Sequence, residues 1–459
     1  MNAPIPDDEL FSPRRFPVLG AAGRAMLRRL VDHPGAPRYR DRSGHRLGRL
    51  DIWQARARHW GIQRARMPWP LDARLPPAWG DAWVAMLAAT VPAARGLTGR
   101  PWAEIPLTRR ADLSAALHRY MPAGAPVDRL ICFATSGTTG HPLKVPSLPR
   151  VAADYQAFHR RALRHFGIEP QAGRGDVGIV LAGFQQRCFT YVSVNPLQGE
   201  CGLAKLNLAP TEWRDASDRA RYLDDLAPEL ISGDPISLAE LTRLGLRHRP
   251  RALLSTSMAL SDGLRRELEW QFRCPVLDLY SMNEVGPIAV FDPQLDGHLL
   301  LQPRLHVEIV DAQGQPLPYG EAGQVVVSGG FNPCLPLLRY ATGDHARLEM
   351  SPRGPVLRGL VGRPPVRFRS PSGHWINNVE ISQALAPFGL VRFALHQQAD
   401  GSLVLAADAL EPLDALASRL RDALEERFGE SLPLRLVPLL ADDKLRQYTS
   451  DLPGHDPAC

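Results

Sequence analysis

Leu130-Ile131-Cys132-Phe133-Ala134-Thr135-Ser136-Gly137-Thr138-Thr139-Gly140 is the stretch on which the fold turns. Five apolar or small residues read as a buried strand, and the six that follow replace them with glycine and hydroxyls. Glycine lets backbone N–H groups approach anionic oxygens closely, and Ser136, Thr138 and Thr139 add side-chain donors. A strand running into such a loop can cradle a phosphate. It is not a Walker loop, because the Gly-x4-Gly-Lys-Ser/Thr spacing is absent. Taken alone, such a loop after a strand is an ordinary hydroxyl-rich turn more often than not.

Working outward from it, short apolar runs alternate with amphipathic stretches as far as about residue 330. Strands are expected at 177–182, 252–257 and 275–279, with helices at 151–166 and 261–272. Alternation of this kind predicts βα units and a largely parallel sheet. The runs 306–310 and 324–327 flank the turn-rich Asp311-Ala312-Gln313-Gly314-Gln315-Pro316 and predict a β-hairpin-rich subdomain. Upstream, residues 1 to about 125 carry Arg-rich helical patterns at 21–32, 50–60 and 79–90, broken by prolines, and read as a helical cap on the core. Downstream of Leu360-Val361-Gly362, a strand at 402–407 and a helix at 413–428 predict a small α+β unit. The expected fold class is α/β. A large N-terminal domain, 1–361, combines parallel-rich sheets, helices and the β-rich subdomain, and a small C-terminal domain, 362–459, follows a hinge at about 362–365.

Composition narrows the function classes. The 459 residues are 44% hydrophobic, 22% charged and 7% aromatic, as in a soluble globular enzyme, and the 43 prolines are scattered as loop punctuation. The net charge of +6 comes without basic runs or aromatic-interleaved basic patches, which argues against nucleic-acid binding. Of the 54 basic residues 51 are arginine, leaving Lys144, Lys205 and Lys444. Arginine does not replace a compact, flexible ammonium at every site, so each lysine matters. None of the six cysteines forms a CxxC pair, so no zinc or redox motif is indicated. The acidic Met1–Glu9 segment has no apolar core and is not a signal peptide, and no apolar run reaches membrane-spanning length. The expected location is the cytoplasm, with no membrane partner.

Four further clusters carry chemistry. Tyr280-Ser281-Met282-Asn283-Glu284 follows a strand, where a tyrosine can stack on a base and a glutamate can hold Mg²⁺ at phosphates. In Arg339-Tyr340-Ala341-Thr342-Gly343-Asp344, an aspartate after a glycine turn can accept both ribose hydroxyls. Gly362-Arg363 is followed by Gly373-His374-Trp375-Ile376-Asn377-Asn378-Val379-Glu380, and Asp443-Lys444-Leu445-Arg446 stands near the end. Each is weak singly.

Their order and spacing together resemble the adenylate-forming superfamily of acyl-CoA synthetases, peptide-synthetase adenylation domains and luciferases, and most of all its phenylacetate–CoA ligase branch. Ile105-Pro106-Leu107-Thr108-Arg109-Arg110-Ala111-Asp112-Leu113 and Asn332-Pro333-Cys334-Leu335-Pro336-Leu337-Leu338-Arg339-Tyr340 are similar to segments of that branch. The resemblance covers about residues 100–450. It implies ATP and Mg²⁺ as cofactors and activation of a carboxylic acid as an acyl-AMP. Thr135, Ser136, Gly137, Thr138, Thr139 and Gly140 would hold the phosphates, Tyr280, Ser281 and Met282 the adenine side, and Asp344 and Arg363 the ribose or phosphates. Asn283 would donate to the α-phosphate and Glu284 would bind the metal. Lys444 would neutralise charge on the pentavalent phosphorus as pyrophosphate leaves. Gly373 would line the path of a pantetheine thiol, and the small C-terminal domain would be mobile.

The acid pocket would be lined by Phe184, Gln185, Phe189, Thr190, Tyr191, Ser257 and Met258. Aromatic walls with a few polar tips suit a flat aryl acid, of hydroxybenzoate or arylacetate type. The acceptor would be the thiol of coenzyme A or of an acyl carrier protein. Lys144 lies one residue later than the family's usual lysine, and Lys205, near the acid pocket, receives no role. Ser281 stands for a usual glycine, Asn283 for threonine and Asp443 for glycine. Pro364-Pro365 stand where the hinge usually has an acidic residue, and two prolines restrict φ. These departures leave two alternatives: an amide-forming synthetase with an amine acceptor, and a catalytically silent nucleotide-binding protein.

Overall fold

The computed structural model of the chain describes residues 5–65, 69–134, 143–184, 188–362, 366–429, 431–439 and 447–453. The N-terminal quarter is helical as its periodicity predicts: α1 (Asp7–Leu10), α2 (Ala21–Asp32), α3 (Arg49–Arg64), α4 (Gly80–Thr90) and α5 (Arg110–Ala116). Met26, Leu27, Leu30 and Val31 form the buried stripe of α2.

β1 (Ile131–Ala134) and β2 (Lys144–Ser147) pair antiparallel as a separate two-stranded sheet, with Ala134 opposite Lys144. The expectation of a buried strand at 130–134 is therefore corrected. Cys132 is exposed and Leu130, Ile131 and Phe133 are only half-buried, with Phe133 packing beside Leu143 and Val145. A short apolar run does not by itself distinguish a two-faced strand from a one-faced one.

After α6 (Pro149–His165) come β3 (Val177–Gly183), β4 (Tyr191–Asn195), β5 (Cys201–Asn207), α7 (Asp218–Leu226), β6 (Leu230–Gly233), α8 (Pro235–Leu244), β7 (Ala252–Ser255), α9 (Asp262–Phe272) and β8 (Val276–Met282). Six more strands follow: β9 (Gly286–Asp292), β10 (Gly297–Leu300), β11 (Leu305–Val310), β12 (Ala322–Gly329), β13 (Leu337–Ser351) and β14 (Gly354–Gly362). All of β3–β14 belong to one twelve-stranded sheet, ordered β11-β12-β13-β14-β10-β9-β8-β7-β6-β3-β5-β4. From β5 to β8 the neighbours are parallel, and from β8 to β11 they are antiparallel. The hairpin-rich part thus continues the parallel part edge to edge.

The crossover helices begin and end on local signals. The Asp234 carboxylate accepts from the Ser237 N–H at 2.8 Å ahead of Pro235, and Gly245 at φ 65° closes α8. One face of the sheet packs through Val180, Ala182, Ile231 and Leu253 on α2, α7 and α8. The opposite face packs through Leu254, Leu277 and Leu279 on Ala157 and Phe158 of α6.

The last unit comprises β15 (Arg367–Arg369), β16 (Trp375–Asn377), α10 (Asn378–Leu385), β17 (Leu390–Gln397), β18 (Leu403–Ala409), α11 (Leu413–Phe428), β19 (Leu434–Pro438) and β20 (Tyr448–Ser450). Its sheet order is β19-β18-β17-β20, and Phe368, Leu395, Leu405, Leu420 and Phe428 share one core. It rests on α8 and α9. The Ser261 hydroxyl donates to the Leu390 carbonyl at 3.0 Å, and Arg243 lies 3.7 Å from Asp408. A Cβ on Gly263 would fall 2.0 Å from the Gly389 nitrogen, so the two backbones meet there directly. Among the described residues no helix is long and apolar enough to cross a membrane.

Candidate active site at the seam of the sheet

β8 is the strand at which the sheet changes character. Its first half pairs parallel with β7, Ser255 opposite Asp278, and its second half pairs antiparallel with β9, Met282 opposite Gly286. Crevices in open α/β sheets form beyond strand carboxyl ends, where neighbouring connections diverge. Tyr280, Ser281 and Met282 end β8 at this position, and Asn283, Glu284 and Val285 make the turn into β9. The turn closes on Gly286 at φ 76°, where an added Cβ would lie 2.6 Å from the Tyr155 ring. Only glycine meets both demands.

A second strand brings the acidic partner. Along β12 and β13, Val326 faces Ala341 and Gln324 faces His345, so Thr342, Gly343 and Asp344 bulge opposite Val325 alone. Gly343 takes φ 87°. The Thr342 hydroxyl donates to the Val325 carbonyl and accepts from the Asp344 N–H, each at 3.0 Å. The bulge turns Asp344 toward β8, where its carboxylate accepts from the Tyr280 hydroxyl at 2.5 Å. Burial, and after it the Asp344 charge, hold that phenol well above its ordinary pKa, so it stays a donor.

Glu284 is 2% exposed. It accepts from the Tyr340 hydroxyl at 3.0 Å and lies 4.0 Å from the Arg110 guanidinium. Burial and then the Glu284 charge raise the Tyr340 phenol as well. The Tyr155 hydroxyl is raised by burial and then by Glu284, and among the described residues it has no hydrogen-bond partner.

The frame behind these groups is a buried ion pair. Arg339, 1% exposed and at φ 44°, donates to Glu308 at 3.0 Å and to the carbonyls of Ala103, Ile105 and Gly314 at 3.0, 2.7 and 2.6 Å. Trp102 donates to the same carboxylate at 3.2 Å. A buried pair with its remaining donors satisfied fixes position, whatever its net contribution to stability. Here it locks the residue next to Tyr340.

Of the residues expected to act, Tyr280, Glu284 and Asp344 converge. Ser281 and Met282 are half-buried and Asn283 is exposed beside them. Thr135, Ser136, Gly137, Thr138, Thr139, Gly140, Gln185, Arg363 and Lys444 lie outside the described residues, as do Pro364 and Pro365. Phe189 and Tyr191, at the start of β4, have rings 5.5 Å apart, whereas Phe184, just past β3, packs against the core that also holds α2, α7 and α8. Thr190 is buried. Its Oγ1 accepts from the Arg40 N–H at 3.1 Å and contacts the Arg38 carbonyl at 3.4 Å, so its single O–H donor is engaged inside the fold. Ser257, at φ 72°, and Met258 are exposed past β7, and Gly373 sits at φ 89° between β15 and β16.

Sequence reasoning missed roles for Tyr155, Arg110, Tyr340 and the Arg339–Glu308 pair. For that pair a signal exists: a charge in each of two apolar strands implies that the charges meet.

No family model matches the chain. It is similar to the phenylacetate-coenzyme A ligase of Pseudomonas putida, 26% identical over 270 residues, covering 56% of this chain and 59% of that protein. It is also similar to the phenylacetate-coenzyme A ligase of Escherichia coli K12, 25% identical over 260 residues, covering 53% of this chain and 57% of that one. The chain spans 59% and 57% of the length of these two curated relatives, under two thirds in each case. Among solved structures, a 2-hydroxyisobutyryl-CoA ligase in the postadenylation state, in complex with 2-HIB-AMP, superposes with a TM-score of 0.56 over 88% of both chains at 18% identity. The fold is shared with that structure, and the sequence is similar to phenylacetate-coenzyme A ligases over little more than half of the chain.

Proposed function

We propose that the protein activates a carboxylic acid with ATP and passes the acyl group to the thiol of coenzyme A. The carboxylate oxygen attacks the α-phosphorus, pyrophosphate leaves, and an acyl-AMP results. The thiol sulfur then attacks the acyl carbon, AMP leaves, and the thiol proton is released. The observation that carries the reading is the meeting of Tyr280 with Asp344 and of Tyr340 with Glu284 at one end of the seam strand. The relatives named as coenzyme A ligases support the choice of acceptor.

The residues present fit the cofactors. Mg²⁺ at nucleotide sites takes one or two carboxylates, with phosphate oxygens and water completing its shell. Glu284 supplies such a carboxylate, and the Tyr155 hydroxyl, unpartnered among the described residues, is an adjacent oxygen. The metal would neutralise phosphate charge. Asp344 would receive the ribose hydroxyls, and Lys444 would meet the charge that develops as pyrophosphate departs.

Acid-dependent exchange of labelled pyrophosphate into ATP tests this directly. Exchange is expected with an aryl acid among the panel, and a drop of roughly 10²-fold or more in Lys444→Ala. Silence across a broad panel of aryl and alkyl acids would sink the reading. Offering coenzyme A, a holo carrier protein or an amine to the preformed adenylate then identifies the acceptor.

A further inference from the structure

Lys205 is the lysine left without a role. It lies on β5, level with Leu181 of β3 on one side and Tyr191 of β4 on the other, two positions before the strand ends at Asn207. Residues level across neighbouring strands project to the same face. Lys205, Leu181 and Tyr191 therefore share a face, and Ile179 on that face packs against the α6 cluster that also holds Tyr155. Two residues beyond Leu181, a Cβ on Gly183 would lie 2.8 Å from the Cys188 sulfur, so Cys188 folds over this same face. Burial raises the Cys188 thiol, and the Lys205 charge opposes that rise.

Lys205 is half-buried, and among the described residues its ammonium makes no ion pair or hydrogen bond. The acids whose field reaches Cys188 are engaged elsewhere. Asp41 accepts from the Thr190 N–H at 2.8 Å, Glu212 pairs with Arg40 at 2.8 Å, and Asp234 caps α8. A half-desolvated ammonium is unfavourable until an acceptor meets it. Tyr191 shares the face of Lys205, and the Phe189 ring lies 5.5 Å from that of Tyr191, so the two rings would flank a flat substrate.

We propose that Lys205 is the specificity-determining residue of the acid pocket, and that the preferred acid is an aryl acid bearing a second oxygen acceptor, a carboxylate or phenol, away from the carboxyl that is activated. The inference rests on the acid-activating reading given above. It goes beyond that reading in naming the chemistry at the far end of the substrate.

Matched acids test it by pyrophosphate exchange: phenylacetate against 4-carboxyphenylacetate, and benzoate against 4-hydroxybenzoate. The wild-type protein is expected to favour the substituted member of at least one pair. In Lys205→Met that preference should fall by roughly tenfold or more, through the KM for the acid, with the KM for ATP unmoved. Lys205→Arg should keep part of it, which a purely structural role would not predict. An unchanged preference in Lys205→Met, or a wild-type preference for the unsubstituted acids while exchange proceeds, overturns the assignment and leaves the proposed function standing. Exchange with no acid at all overturns the proposed function, and this inference with it.

Discussion

At the scale of single residues, two carboxylates meet two phenols. Burial penalises the phenolate form, so Tyr280 and Tyr340 act as fixed donors aimed at Asp344 and Glu284. Tyr340→Phe keeps the ring and removes one donor from a carboxylate that is 2% exposed. Stability should fall by about 1–3 kcal/mol, because the carboxylate loses a partner and stays buried. Pyrophosphate exchange should also fall, by at least roughly tenfold if Glu284 is held in place by that bond. Urea denaturation and the exchange assay read the two effects separately, and an unchanged exchange rate would remove Tyr340 from the site. Tyr280 and Glu284 could be picked from the sequence because they follow a strand run, and Asp344 because it follows a glycine turn, in the order the family resemblance expects. Tyr155 and Arg110 could not, since each sits in a helix whose pattern is fully explained by packing.

At the scale of elements, two glycines illustrate two different constraints. Gly286 combines φ 76° with the Tyr155 ring against its open side, whereas Gly343 combines φ 87° with open space. Gly343→Ala should cost about 1–2 kcal/mol, the backbone term alone. Gly286→Ala adds a side-chain collision and should cost about 2–4 kcal/mol. Equal losses in urea titrations would contradict this account. Helices α2, α9 and α11 were legible from their apolar spacing, helped by the Ser261 cap of α9 and by Gly429 after α11. The pairing of β10 with β14, and the separate sheet of β1 with β2, were not legible. Strand partners are chosen by contacts distant in sequence, and local pattern does not encode them. Lys205 illustrates the same limit: the sequence located it near a pocket, and only the register with Leu181 and Tyr191 fixed its face.

At the scale of the whole molecule, buried titratable groups set the response to acid. His306 lies between Trp69 and Trp102, with ring centroids 5.7 and 5.8 Å away, and burial followed by the Arg339 charge pushes it down to about 4. A histidine depressed in the folded state contributes stability that is fully present above its ordinary value of 6.5 and is lost as pH falls from there toward 4. Burial alone pushes His159 down to about 4, with the same sign. Asp154, raised to about 6 chiefly by burial, acts oppositely: its contribution is present at low pH and lost as pH rises through about 6. The two histidines outweigh it, so unfolding free energy should drop between pH 7 and 4.5. His306→Phe, which keeps the aromatic contacts, should flatten that drop by up to about 3 kcal/mol, since each pKa unit is worth about 1.4 kcal/mol. Denaturant midpoints at both pH values decide it, and parallel curves for the two proteins would refute it.

The contact between Gly263 and Gly389 has a consequence at this same scale. Only hydrogens separate the two backbones, so the joint that seats the last unit on α9 has no side chain to adjust its thickness. Any residue other than glycine at 263 is a shim. It would offset everything from Gly389 onward by about the width of a methyl group, while Tyr280, Glu284 and Asp344 kept their places on the larger sheet. Clearance at this point, together with the Ser261–Leu390 and Arg243–Asp408 contacts, sets the alignment of the two units.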